Sequence, residues 1–190
     1  AGSQSFRYVE TYRHKEPSTM SVRPYRTLFL CAHNTARSII AEAVLRRIAG
    51  AAAGRGLEAF SAGSELAAAP LPAVIERLEA LGYDTTNLAS KSWHEFVGAD
   101  APRMDFVITM CDILELNKCP DFGDQAATAA WPFPDPAKFT GSEAEHAAMI
   151  NELIGIIRRR LEIFISLPLD TLDRMALEAR LDEIGRQIGA

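Results

Sequence analysis

The chain has 190 residues, of which 48% are hydrophobic and 24% charged, and its formal net charge at pH 7 is −5. This length fits one domain with a small addition, and the composition excludes a collagen, a coiled-coil rod and a wholly disordered chain. No apolar run approaches the roughly 18 residues that span a bilayer, and the amino terminus lacks the apolar stretch of a secretory signal. Three cysteines are too few for a disulfide scaffold, so the composition predicts a cytoplasmic protein whose thiols are catalytic, redox-active or buried.

The charge is unevenly distributed along the chain. Residues 1–26 carry five basic side chains against two acidic ones, so the remainder is strongly acidic, which argues against a nucleic acid as the main partner. This first segment is polar, lacks periodicity and is interrupted by Pro17 and Pro24. We therefore predict that residues 1–25 form a poorly ordered leader, with Met20 as a candidate natural start. The alternative is a nucleic-acid-binding arm.

Apolar runs and helical periodicities alternate along the rest of the chain. Strands are predicted at 27–31, 57–61 and 105–111, with a short fourth strand at 129–133. Helices are predicted at 37–50, 71–81 and 142–166, and the last of these begins with a capping box formed by Ser142 and Glu145. Strands that are apolar throughout and alternate with helices predict a three-layer α/β/α fold around a parallel sheet.

A further amphipathic helix, capped by Asp170, is predicted within the C-terminal segment 168–190. Its apolar stripe consists of Leu177, Leu181, Ile184 and Ile188. Such a stripe must pack against something, either the same domain or a second subunit, so the sequence leaves a homodimer open.

The segment 31–38 carries the chemistry, because a cysteine and an arginine flank a short loop between a predicted strand and a helix. Ligands of parallel sheets bind at the carboxyl ends of strands, where Cys31 lies. A tight loop entering a helix offers inward-facing N–H groups to a tetrahedral oxyanion, and Arg37 can grip two of its oxygens. The same field favours a thiolate at Cys31, with Ser38 placed to hydrogen-bond its sulfur. The alternative is a buried strand-end cysteine beside an arginine that begins a helix.

Residues 29–38, followed by Ala41-Glu42, resemble the low-molecular-weight protein tyrosine phosphatase superfamily, and within it the thioredoxin-coupled arsenate reductases. Shorter segments that fit in the same order lie at 61–63, 90–91, 107–111, 119–120 and 131–137. The resemblance covers about residues 26–165 and implies a four-stranded parallel sheet. It also implies an oxyanion-binding loop made of Ala32, His33, Asn34, Thr35, Ala36 and Arg37.

Two branches of this superfamily carry out different reactions. Its phosphatases use the cysteine and the arginine with an aspartic acid from an Asp-Pro loop as the general acid, and they commonly place aromatic residues after it. Here Ala137 follows Asp135-Pro136, and Ile39 stands where the phosphatases usually have proline, so the resemblance favours the reductases. Asp135 is the candidate acid in either reaction because the leaving oxygen needs a proton. Its alternative role is to cap a turn.

The resemblance to the reductases implies a relay of three thiols. Cys31 attacks arsenate to form a thiol–arsenic adduct, and Cys111 then attacks the Cys31 sulfur so that arsenite leaves. Cys119 next moves the disulfide to an exposed Cys111–Cys119 pair that thioredoxin reduces. Such exchange needs a segment that can move, which the polar stretch 112–118 is predicted to supply.

Two departures from the family pattern bear on this relay. Cys111 and Cys119 are eight residues apart, one more than the family spacing, and Ala36 stands where many relatives have an additional cysteine. The alternatives are a buried strand-end cysteine at position 111 and a spectator thiol at position 119.

Some relatives bind potassium near the loop through an Asn, a Glu, a Ser and an Asp. Asn34, Glu42 and Ser61 match the first three, but Lys91 occupies the aspartate position, where its ammonium group can pair with Glu42. We therefore predict no required potassium. No zinc site is predicted either, since the histidines lack ligand spacing.

The resemblance thus implies a cytoplasmic arsenate reductase for arsenic detoxification. The expected partners are arsenate, with phosphate or sulfate in the same loop, and thioredoxin or another thiol as the electron donor. No bound cofactor, nucleic acid or membrane is expected. The first alternative is a phosphatase that hydrolyses phosphomonoesters with Cys31, Arg37 and Asp135, and the second is a non-catalytic oxyanion-binding or regulatory protein.

Overall fold

The computed structural model describes residues 23–51, 56–111, 122 and 126–186. Several predicted features lie outside these described residues: positions 1–22 of the predicted leader, the stretch 112–118, Cys119 and Ile188.

Four short strands form one parallel sheet in the order β2-β1-β3-β4. β1 spans Tyr25–Cys31, β2 Leu57–Gly63, β3 Phe106–Thr109 and β4 Ala127–Ala130. The predicted α/β fold with four parallel strands is confirmed. The predicted fourth strand, 129–133, is wrong in its second half. Pro132 falls after the strand end, because proline has no N–H to donate to the sheet.

In the part of the chain that the structure describes, four α-helices connect and cover these strands. They are α1 Arg37–Ala51, α2 Pro72–Ala80, α3 Glu143–Ser166 and α4 Arg174–Arg186. The predicted capping box of α3 is present, since the Glu145 N–H donates to Ser142 Oγ and the Ser142 N–H donates to the Glu145 carboxylate. Hydrogen bonds from the side chain and backbone of Ser142 also lower the pKa of Glu145 below its usual value. None of the helices in the described ranges is long and apolar enough to cross a membrane.

The prediction that Asp170 caps the last helix is wrong. α4 begins one turn later, where the carboxylate of Asp173 accepts a hydrogen bond from the Ala176 N–H at 2.8 Å. Asp170 instead accepts from the hydroxyl of Tyr25 at 2.8 Å. Both aspartates have suitable side chains, so the tertiary contact with Tyr25 decides which one starts the helix.

The two faces of the sheet have separate apolar clusters. On one face the helices pack over strand residues such as Phe29 and Ile108. On the other face Leu28 and Leu30 pack with Phe96, which belongs to a short 3₁₀ helix at Trp93–Phe96. β1 is therefore buried on both sides, which explains its uninterrupted apolar sequence and leaves its carboxyl end as the place where polar groups gather.

α4 packs against β4 and the residue that follows it. Leu177, Leu181 and Ile184 are buried, so the stripe of this helix packs on the same chain. The indole N–H of Trp131 donates to the Leu181 carbonyl at 2.8 Å. The carboxylate of Glu178 accepts from the backbone N–H of Thr128 at 3.2 Å. A helix attached by buried apolar residues and by polar contacts to a strand is an integral part of this fold.

Gly185→Ala is expected to destabilise the protein by about 1–3 kcal/mol. A Cβ atom at Gly185 would lie 2.5 Å from both the Ala130 carbonyl oxygen and Trp131 Cδ1, so α4 would have to move away from β4. Gly155→Ala is the matched control, since the nearest atom to its Cβ is 3.7 Å away, in a flexible arginine. Alanine there should stabilise α3 by up to about 1 kcal/mol. Urea unfolding measures both, and a Gly185→Ala protein as stable as the wild type would contradict this packing.

Candidate active site

Two cysteines lie at the carboxyl edge of the sheet on neighbouring strands. Cys31 is the last residue of β1, and Cys111 follows two residues after the end of β3. β1 and β3 run in parallel, with Leu30 paired to Thr109, and the Met110 N–H donates to the Leu30 carbonyl at 2.7 Å. Both cysteine side chains are buried. The fold therefore places two of the three predicted thiols at adjacent strand ends.

The loop at 32–36 has its carbonyl groups turned outward. Each of the first four accepts a hydrogen bond from a flanking segment, and the donors, in order, are Glu65 N, Ala67 N, Ser90 Oγ and Leu71 N. The C=O and N–H of one trans peptide unit point in opposite directions, so the N–H groups of residues 33–36 point into the loop. Asn34 adopts φ 51°, a left-handed conformation that Asn tolerates better than most residues. Converging amides of this kind form an anion-binding concavity, as the sequence predicts.

Gly63, the last residue of β2, lies directly against this loop. A Cβ atom there would be 2.8 Å from the Ala32 carbonyl oxygen and 2.9 Å from the Asn34 nitrogen, so only glycine allows the loop backbone to approach so closely. The lack of a side chain at Gly63 thus allows the loop to keep this shape.

Gly63→Ala is expected to weaken the binding of phosphate, a simple tetrahedral oxyanion, by at least about tenfold, because it pushes the loop amides out of place. Gly50→Ala is the control, since a Cβ at Gly50 has nothing within 4 Å. Isothermal titration with phosphate measures the effect. Equal affinity in the two variants would contradict the role of this close approach.

Arg37, the first residue of α1, is buried and fixed by three hydrogen bonds. Its Nη1 donates to the carbonyls of Met110 at 3.3 Å and Phe133 at 3.2 Å, and its Nη2 donates to Asp135 Oδ2 at 2.9 Å. The buried Nε has no hydrogen-bond partner among the described residues. A buried donor left in this way is costly, and it fits a group held ready for a ligand oxygen.

Asp135 is brought next to Arg37 by a short turn. Both side chains are buried, with 3% of Arg37 and 6% of Asp135 exposed. One carboxylate oxygen of Asp135 faces Arg37, and the other accepts from the Ala137 N–H at 3.0 Å and so caps the 3₁₀ helix Pro136–Lys138. The capping role that the sequence left open is therefore present. An oxyanion gripped by Arg37 would also lie within reach of the Asp135 carboxyl group.

A chain of hydrogen bonds runs from the Lys91 backbone N–H to the Cys31 sulfur. The Lys91 backbone N–H can only donate, and it donates to Asn34 Oδ1 at 2.7 Å, which fixes the orientation of that amide. The Asn34 Nδ2 then donates to Ser38 Oγ at 2.8 Å and to Ser61 Oγ at 2.9 Å. Ser38 Oγ, which accepts from Asn34, lies 2.9 Å from Cys31 Sγ, so its proton can be directed to that sulfur. A hydroxyl donor at this distance suits a sulfur that acts as a nucleophile.

The other end of this chain is Glu42, which is fully buried on α1. Its carboxylate accepts from Ser61 Oγ and pairs with Arg46 and Lys91, the latter at 3.1 Å. A buried carboxylate needs such compensation, and here two cations supply it. The pairing of Lys91 with Glu42 is the contact that the sequence suggests.

His33 is partly exposed in the loop, and its Nδ1 lies 2.9 Å from the Glu65 carbonyl oxygen. Within the described ranges, no cluster of three or more His, Cys, Asp or Glu side chains is suited to a metal ion.

Two residues of α3 contact the segment that carries Asp135, and the sequence did not single out either for this site. Arg160 is buried with its Cζ 4.4 Å from the centre of the Phe133 ring, and burial lowers its pKa below the ordinary value. His146 Nε2 lies 2.9 Å from the Pro136 carbonyl oxygen. These contacts form because α3 packs beside the turn. In the sequence, the only indication of them is the helical periodicity of α3.

Comparison with known proteins agrees with this geometry. The model of the family described as low molecular weight phosphotyrosine protein phosphatase matches residues 26–166. Curated arsenate reductases of Oceanobacillus iheyensis and Bacillus subtilis are 30% and 29% identical to this chain. In each case the match covers 72% of this chain and 91% of the relative.

Solved structures give the same result. A thioredoxin-dependent arsenate reductase of Corynebacterium glutamicum is 29% identical with a TM-score of 0.55, and the match covers 80% of this chain. It covers 65% of that protein, so this chain spans slightly less than two thirds of that relative's length. Other structures of this fold include both arsenate reductases and phosphatases. The predicted resemblance is confirmed.

Proposed function

The chain belongs to the low molecular weight phosphotyrosine protein phosphatase family, and on that premise we propose that it is an arsenate reductase that draws electrons from thioredoxin. The observation that carries the proposal is the second buried thiol, Cys111, two residues beyond the end of the strand next to the one that ends in Cys31. Phosphomonoester hydrolysis needs one thiol, whereas reduction needs a second to take over the oxidised sulfur. The curated relatives are named arsenate reductases.

The first step of the proposed reaction uses the oxyanion loop. Arsenate is held by the loop amides and by the Nε and Nη2 edge of Arg37, with its arsenic atom facing Cys31. The Cys31 thiolate, hydrogen-bonded by Ser38, attacks arsenic and forms a sulfur–arsenic bond. An arsenic–oxygen bond breaks, and Asp135 delivers the proton with which that oxygen leaves as water.

The second step transfers electrons to arsenic. Cys111, as a thiolate, attacks the Cys31 sulfur and forms a Cys31–Cys111 disulfide. The electron pair of the sulfur–arsenic bond stays on arsenic, which is thereby reduced from As(V) to As(III) and leaves as arsenite. Cys119 then attacks Cys111 and releases the Cys31 thiolate, and the thioredoxin dithiol reduces the Cys111–Cys119 disulfide.

The same proposal covers location and boundaries. A thiol relay that thioredoxin must re-reduce requires a reducing compartment, so we place the protein in the cytoplasm. We propose a catalytic domain of residues 26–167 together with Tyr25, which begins β1, and α4, which packs on β4. The loop also accepts phosphate or sulfate, because both share the tetrahedral shape of arsenate.

A thioredoxin-coupled assay tests the relay. Wild-type protein with thioredoxin, thioredoxin reductase and arsenate should oxidise one NADPH per arsenite formed. Cys111→Ser should lose sustained turnover, and Cys119→Ser should stop after one arsenite per protein with a Cys31–Cys111 disulfide. Full activity in Cys119→Ser would rule out the third thiol. Absence of arsenate reduction together with brisk hydrolysis of p-nitrophenyl phosphate would favour the phosphatase alternative.

Potassium is expected to have no effect on turnover. The Lys91 ammonium lies 3.1 and 3.3 Å from the two oxygens of Glu42, and we propose that it does the work that potassium does in some relatives. Arsenate turnover is therefore expected to be unchanged when sodium is exchanged for potassium at constant ionic strength. Lys91→Asp should lower turnover in sodium and regain part of it in potassium. A severalfold rise in wild-type turnover with potassium would contradict the proposal.

A further inference from the structure

We propose that His146, with Phe139 and Gly141, positions the turn that carries Asp135. This inference rests on the proposed role of Asp135 as the general acid. None of the three residues is assigned to the reaction itself; they would act on it through the placement of the Asp135 carboxyl group.

The turn has few hydrogen bonds of its own to hold it. The Lys138 N–H donates to the Asp135 carbonyl at 3.0 Å, and the Phe139 N–H donates to the Pro136 carbonyl at 3.2 Å. Pro136 has no N–H, and a single 3₁₀ turn of three residues is marginal without outside support. Besides the bonds of the Asp135 carboxylate to Arg37 and to the Ala137 N–H, the position of the acid therefore depends on what the turn packs against.

His146 supplies that support at both ends of the turn. Its Nε2 lies 2.9 Å from the Pro136 carbonyl, and a carbonyl can only accept, so Nε2 carries the proton. The His146 ring also stacks on the ring of Phe139, with centroids 5.2 Å apart and planes 5° from parallel. One imidazole thus contacts the residue after Asp135 and the residue that ends the turn.

The anchor itself is rigid. The His146 N–H donates to the Ser142 carbonyl at 2.9 Å, inside the first turn of α3 that the capping box fixes. Gly141 lies behind Phe139, and a Cβ there would be 2.5 Å from the far end of the ring. A side chain at position 141 would therefore push the ring away from its present place flat against His146.

A double-mutant cycle with Asp135 tests the proposal. Kinetics are measured for the full-length chain with arsenate and thioredoxin, and separately with p-nitrophenyl phosphate, because the same acid would serve both reactions. His146→Ala is expected to lower kcat by about tenfold while changing KM by less than about twofold. His146→Gln, which keeps an N–H donor, should retain most of kcat. Gly141→Ala should lower kcat as His146→Ala does, since it displaces the ring.

The decisive measurement is the effect of His146→Ala on kcat in a protein that already carries Asp135→Asn. If His146 acts through Asp135, His146→Ala has no further effect on kcat there, and phosphate affinity stays at the wild-type value in both variants. If His146→Ala lowers kcat as much in the Asp135→Asn protein as in the wild type, the two residues act independently and the inference is overturned. A wild-type kcat in His146→Ala alone would overturn it as well. Wild-type kcat in Asp135→Asn would overturn the acid and the inference together. Hydrolysis of p-nitrophenyl phosphate without arsenate reduction would overturn the proposed function alone, and the cycle would then be decided on that substrate.

Discussion

Cys31→Ser is expected to abolish arsenate reduction, with a loss of at least about 10⁴-fold in kcat, and the first turnover should be lost as well. Serine has nearly the same shape and remains beside Ser38, which is 2.9 Å from the native sulfur. Its hydroxyl is a far weaker nucleophile than a thiolate at neutral pH. An oxygen at this position also cannot form a disulfide with Cys111, so the electrons have no route from protein to arsenic.

The measurement is arsenite produced in a single turnover, read together with the thioredoxin-coupled rate. The loop does not depend on the sulfur, so Cys31→Ser should still bind phosphate, and this binding checks that the variant is folded. Cys111→Ser is the comparison: it should release no arsenite either, but it should still form the arsenic adduct at Cys31, which mass spectrometry of the intact protein detects, whereas Cys31→Ser should not. Residual activity of Cys31→Ser above about 1% of the wild-type rate would contradict the assignment of the nucleophile.

Arg37→Lys is expected to lower kcat/KM for arsenate by about 10²- to 10³-fold. The guanidinium group bonds Met110, Phe133 and Asp135 while its buried Nε stays available for an oxyanion. A lysine ammonium has three donors on one atom. It cannot reach these three partners and also present a flat, two-pronged edge to the ligand.

The control is Arg158→Lys, because Arg158 is exposed on α3, where it pairs at 2.8 Å with Glu162, one helical turn further along. That exchange should leave kcat/KM unchanged. Phosphate affinity measured by titration should fall in Arg37→Lys in parallel with kcat/KM. Activity within about threefold of the wild type would contradict the assignment of Arg37 to oxyanion binding.

The sequence predicts the site's main parts because its signals there are local. Cys31, the loop and Arg37 are contiguous, and the strand before and the helix after them are marked by their own periodicity. Lys91 and Glu42 are far apart in the chain, yet the resemblance places them together, and the structure joins them at 3.1 Å.

What the sequence did not predict depends on tertiary contacts. Asp170 and Asp173 are equally good helix caps, and the hydroxyl of Tyr25 on β1 decides between them. The bonds from Arg37 to the carbonyls of Met110 and Phe133 involve backbone atoms, which carry no sequence signal. His146 is equally hidden, because its partner is a carbonyl ten residues earlier.

The position of α4 has a consequence for the behaviour of the protein in concentrated solution. β4 is the last strand on its side of the sheet, and an exposed border strand offers its free N–H and C=O groups to other chains. The Glu178 carboxylate accepts a hydrogen bond from the Thr128 N–H on that border, and α4 covers the neighbouring Trp131. A chain shortened before α4 would expose both at once. We expect such a protein to self-associate strand to strand, so α4 protects the sheet against aggregation.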